Sequence, residues 1–103
     1  MTTRIRLNKL EKTFSINNNT IKLHDSLYNI ETYSMSRNGS PGKVIVLEYG
    51  DAKVDDKESR RMFSLISPKL SMFSDNIQMS HSNYNEAGSE VMIYGDIDVE
   101  LTE

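Results

Sequence analysis

The amino-acid sequence specifies an α+β fold. It predicts a single small domain over residues 1–103, with one helix at about 56–74 packed on a curved antiparallel sheet or partly closed barrel of about five to seven strands. Three features carry this expectation. Val91, Ile93, Ile97, Val99 and Leu101 alternate with Met92, Tyr94, Asp96, Asp98 and Glu100, the period-two pattern of a strand with one buried and one acidic face. Val44-Ile-Val-Leu47 is an unbroken apolar and mostly β-branched run, as in a central strand covered on both sides. Asp55 and Glu58 open a segment in which Phe63, Ile66, Leu70 and Phe73 recur at helical spacing and are expected to face the core. With 103 residues, 37% of them hydrophobic, the chain sustains one core and leaves little room for a deep cleft.

Taken in order, Ile5 and Leu7 between Arg4, Arg6 and Asn8 predict a first half-buried strand. The apolar phase then shifts to Leu10, Phe14 and Ile16, so a break or bulge is expected near Asn8-Lys9. Asn17-Asn-Asn-Thr20 reads as a turn, and Ile21 and Leu23 begin another short strand. Residues 27–35 and 43–49 form a hairpin around Arg37-Asn-Gly-Ser-Pro-Gly42, which holds both Asn-Gly and Pro-Gly. Pro68 either kinks the helix or divides it, with Ser67 capping a second piece. Ile77, Met79 and His81 alternate, a polar loop follows over 82–89, and Gly95 marks a bend or close approach inside the last strand. Val46–Val54 and Val91–Val99 both hold Tyr-Gly-Asp after an apolar run, which two strands meeting similar bends explain.

Charge is distributed unevenly. Residues 1–22 carry Arg4, Arg6, Lys9, Lys12 and Lys22 against Glu11 alone, whereas residues 84–103 carry six carboxylates and no lysine or arginine. The simplest expectation is that the two ends are neighbouring strands whose exposed faces attract each other. The sharper alternatives are a basic face for a polyanion and a head-to-tail contact between copies. Arg4, Arg6, Lys9, Lys12, Asp96, Asp98 and Glu100 are therefore the candidate binding residues.

No pattern here specifies catalysis, a metal or a cofactor. There is no cysteine to act as nucleophile or thiolate ligand. Asp51, Asp55, Asp56 and Glu58 lack the offsets of a calcium loop and suit the positive end of a helix. His24 and His81 sit in no metal-spaced motif, and His81 between Ser80 and Ser82 has no nucleophile elbow around it. The chain has no apolar run long enough to span a bilayer, and its basic start lacks the apolar stretch of a secretory signal. The expectation is a cytoplasmic, non-catalytic binding protein whose partner is another protein or copies of itself. Its composition suits a viral or mobile-element accessory protein that inhibits or sequesters a factor in the host cytoplasm. The alternatives are a self-assembling structural subunit and an OB-like binder of single-stranded nucleic acid.

Overall fold

A computed structural model describes residues 3–16, 18–70, 77–83 and 87–103. In chain order these form β1 (Thr3–Asn8), β2 (Thr13–Ile16), β3 (Asn19–Lys22), β4 (Leu27–Arg37), β5 (Ser40–Tyr49), α1 (Asp55–Leu70), β6 (Gln78–Asn83), β7 (Ser89–Gly95) and β8 (Ile97–Thr102). The class is α+β with one helix, as expected. The strands number eight among the described residues and divide into two four-stranded sheets, β3-β2-β1-β8 and β4-β5-β7-β6. We call these the terminal sheet and the hairpin sheet. No strand of one pairs with a strand of the other among the described residues, so the sheets do not close into a barrel. Every pairing is antiparallel except β1 with β8, which is parallel.

The two sheets exist because the segment read as one long C-terminal strand serves both. β7 pairs with β5 and β6, and the chain then passes Asp96 and enters the terminal sheet as β8 beside β1. The odd-numbered side chains keep their inward phase across the crossing: Val91, Ile93 and Ile97 are buried, and Val99 and Leu101 pack against the same cluster. Ile5, Leu7, Phe14 and Ile16 of the terminal sheet meet Ile30, Ile45, Leu47 and Tyr49 of the hairpin sheet in that core. The repeated Tyr-Gly-Asp therefore has two outcomes. Tyr49 is buried in the core, whereas Tyr94 lies opposite Val44 on the other face of the hairpin sheet.

Helix α1 adds Met62 and Ile66 to the same core. Asp55, Asp56 and Glu58 occupy its first turn, where the unpaired backbone N–H groups favour negative charge. The capping expectation needs revision, because the Glu58 N–H bonds to the Val54 carbonyl at 2.9 Å and the Glu58 side chain runs inward. The buried stripe is Asp55, Glu58, Ser59, Met62 and Ile66, at i, i+3 and i+4 spacing. Phe63, expected in the core, is 46% exposed because it lies about 100° around the helix from Met62. Phe73 falls outside the described residues, as do 84–86 of the expected polar loop and Asn17 of the expected turn. Pro68 does not divide the helix into two elements. It sits in the last turn, where one lost i→i−4 bond removes little.

Elsewhere the break after Asn8 is a turn, and Leu10 in it is 83% exposed rather than part of a shifted apolar face. The hairpin turns at Asn38-Gly39, both at positive φ (53° and 80°), the two-residue geometry that matches strand twist. Pro41 and Gly42 are strand residues instead of turn residues, opposite Ser36 and Met35. In that register the position of Pro41 faces away from β4, beyond the last β5–β7 pair at Lys43 and Gly95, so its missing N–H breaks no ladder bond.

The helix-face assignment is checked by urea denaturation. Met62→Ala is expected to lose about 2–5 kcal/mol, and Phe63→Ser about 1 kcal/mol or less. Equal losses would reverse the assignment.

Candidate binding surfaces

The oppositely charged ends meet within the chain. Parallel pairing of β1 with β8 sets Arg4 opposite Asp98 and Arg6 opposite Glu100, all four exposed on the outer face of the terminal sheet. Arg6 Nε lies 3.4 Å from Glu100 Oε2, and Lys9 Nζ reaches Glu103 Oε1 at 3.9 Å. Exposed pairs of this kind are worth about 0–1 kcal/mol each, so their larger effect is on the potential of this face, which carries both signs. Lys12 stands apart in the β1–β2 turn, where its ammonium donates to the Asp25 carbonyl. Asp96 is at the opposite end of β8, lining a cleft with Ser34, Ser36, Pro41 and Lys43 of the hairpin. Asp98 lines the same cleft, so Asp96 adjoins the mixed-charge stripe of Arg4, Arg6, Lys9, Asp98 and Glu100, and Lys12 stands apart from it.

The carboxylates at the start of α1 face in different directions, and each has protein donors. Glu58 is buried, and its carboxylate accepts from Tyr49 Oη (3.0 Å), the His24 backbone N–H (3.0 Å) and Arg61 Nη1 (2.6 Å). Arg61 donates in turn to the Lys22 carbonyl at 2.7 Å. One side chain therefore ties α1 to β5 and to the segment between β3 and β4. Burial, then the Glu58 charge, pushes the Tyr49 phenol far above its ordinary value.

Asp55, also buried, faces His81 Nδ1 at 3.0 Å, and the Asn83 amide, oriented to satisfy its neighbours, donates to Asp55 and to the Ala52 carbonyl. Asp56 pairs with Arg60 and lies 3.7 Å from His81 Nε2. Among the described residues no group of three or more metal-ligating side chains converges. Strand alternation puts Ser80 and Ser82 on the sheet face opposite His81, level with Met92 and Glu90, so neither serine shares the imidazole's side.

A further surface lies on the β4–β5 hairpin. Residues 31–41 are exposed without interruption: β4 is the edge strand of its sheet, and from Met35 to Gly42 the hairpin runs past the last β5–β7 pair at Lys43 and Gly95. Its outer face carries Tyr33 (46% exposed) and Met35 (39%), with Tyr28 (61%) near the base. Beside them Arg37 stacks over the Tyr94 ring at 4.7 Å from its centroid. That ring lies across Gly42, where an added Cβ would come within 2.9 Å of it. Val44, opposite both Tyr33 and Tyr94, is fully buried on this face, and Glu31 and Glu48 border it. Alternation over 27–35 is weak, so a period-two pattern does not mark this surface although Tyr28 and Tyr33 lie on it. The signal was that weakness itself, since a strand with both faces in water has no reason to alternate.

Among the described residues no helix is long and apolar enough to cross a membrane. Comparison of the chain with protein-family models, with curated proteins and with solved structures found no match.

The Tyr49–Glu58 pair makes stability depend on alkaline pH. Below about pH 10 both folded and unfolded chains hold the phenolic proton and the full contribution is present. Above it the unfolded chain releases that proton while folded Tyr49 retains it, so stability falls as pH rises. Tyr49→Phe is expected to lower stability by about 1–3 kcal/mol at neutral pH and to flatten the decline above about pH 10, read by urea midpoints across the pH range. An unchanged alkaline slope would remove Tyr49 as its source.

Proposed function

We propose that the protein is a non-catalytic binding module that engages another protein through the outer face of its β4–β5 hairpin and acts by occupying or sequestering that partner. The observation that supports this most directly is the uninterrupted exposure of residues 31–41 with Tyr33 and Met35 among them. Aromatic and thioether side chains on a rigid, protruding element bury much area at low entropic cost, which is how binding anchors work. Glu31 and Glu48 flank that strip with negative charge, so the complementary partner is a protein surface with an apolar centre and a basic rim.

Single-stranded nucleic acid is the weaker reading. Its basic candidates Arg4 and Arg6 lie in register with Asp98 and Glu100, so a phosphate approaching them meets carboxylates at the same place.

The test compares face-specific variants in one capture experiment. Tyr33→Asp combined with Met35→Asp is expected to abolish stoichiometric partner capture while circular dichroism stays unchanged, and Arg4→Glu is expected to leave capture intact. Capture that survives the double variant, or that Arg4→Glu removes, would overturn the assignment of this face. Steeply salt-dependent binding of an oligonucleotide that is lost on Arg4→Ala would favour the nucleic-acid reading instead.

A further inference from the structure

The two sheets have four edges, and they are unequally protected. β3 is only four residues long, and β6 is six residues long and packed beside α1, with His81 tied to Asp55. β8 is six residues long and carries outward carboxylates at Asp98 and Glu100. β4 is eleven residues long, its one irregularity lies between Leu27 and Asn29, and from Ile30 to Arg37 it contains no proline and no lysine. A long edge without such devices is a template for another strand.

We infer that the free edge of β4 pairs with β4 of a second copy of this chain, antiparallel and centred on Ser34, joining two hairpin sheets into one continuous sheet. Register dictates the centre. The hairpin closes at Arg37 opposite Ser40, a hydrogen-bonded pair, so the backbone groups of Ile30, Thr32, Ser34 and Ser36 point to the open side. An antiparallel partner must match these positions with each other. Centred on Ser34, Thr32 meets the second copy's Ser36, and Glu31 meets its Arg37. Tyr33 then meets its Met35. Centring on Tyr33 would instead set Glu31 against Met35 and Arg37 against Asn29. Centring on Thr32 would set Glu31 against Tyr33. Only the Ser34 register places the one carboxylate of this stretch opposite its one guanidinium, twice by symmetry.

The arrangement supplies about six backbone hydrogen bonds and sets Tyr33 and Met35 of both copies side by side at the closer, non-hydrogen-bonded positions. In the single chain Arg37 folds back over Tyr94 and donates to Gln78, so engaging the second copy's Glu31 needs a side-chain rotation and no backbone movement.

The inference stands apart from partner binding, because it is read on the purified protein alone. Sedimentation equilibrium from about 1 µM to 1 mM is expected to show a dimer. Ser34→Pro, which removes an outward N–H while leaving the β5 ladder intact, is expected to give a folded monomer. Glu31→Arg is expected to weaken dimerisation by about tenfold or more, and Glu31→Arg with Arg37→Glu to restore it. A wild-type monomer throughout, or a dimer indifferent to both Ser34→Pro and Glu31→Arg, would overturn the inference. A double variant that stays monomeric would overturn the Ser34 register.

Discussion

A single extended segment belonging to two sheets is the constraint from which the other features follow. Between Tyr94 and Ile97 the backbone leaves the hairpin sheet and enters the terminal sheet, and the same alternate side chains stay inward on both. Because a one-residue slip would turn every apolar side chain to water, Val91, Ile93, Ile97, Val99 and Leu101 fix the register of both sheets together. The crossing also brings the acidic C-terminal strand against the basic N-terminal one. Charge segregated along the chain is thereby mixed in space, on a face of alternating sign.

Stability and exposure are distributed in a consistent way. Among the described residues the core is mostly apolar, and of its few buried polar side chains Glu58 has its carboxylate held by three donors. A buried ion so completely bonded contributes little net energy compared with an apolar replacement, yet losing any one donor is costly. It therefore acts chiefly to lock the position of α1 against β5 and the segment after β3. Beyond the end of β7 the hairpin has no such support. It keeps its shape through its own ladder, the Asn38-Gly39 turn and the layer of Arg37, Tyr94 and Gly42. That combination, a fully paired hairpin with exposed apolar side chains, distinguishes this element from the terminal sheet. The terminal sheet's outer side chains largely face one another's charges.

The first and last strands, the hairpin and the helix were each legible from local patterns, since period-two and period-3.6 spacing reflect burial of one face. The attraction between the two termini was also legible as charge. Three expectations failed for one shared reason. Phe63, Leu10 and the Pro41-Gly42 pair were assigned by residue type, and each is governed by what lies opposite: an angular offset around α1, an open turn, and the place where β7 stops. Glu58 reads as a helix-start residue by position and proves to be a core residue, because Tyr49 lies within reach of it in space and not in sequence.

The sequence by itself determined the α+β class, the inward residues of the first and last strands, a turn within residues 37–42 and the opposing charge of the two ends, because all of these depend on neighbours a few positions away. Only the tertiary structure decided that the described strands form two sheets, that β1 and β8 run parallel, that Glu58 is enclosed and that no described strand pairs with the outer edge of β4. Those outcomes depend on which strand lies beside which, and pairing between distant segments is set by the packing of the whole core and leaves no local mark on the chain.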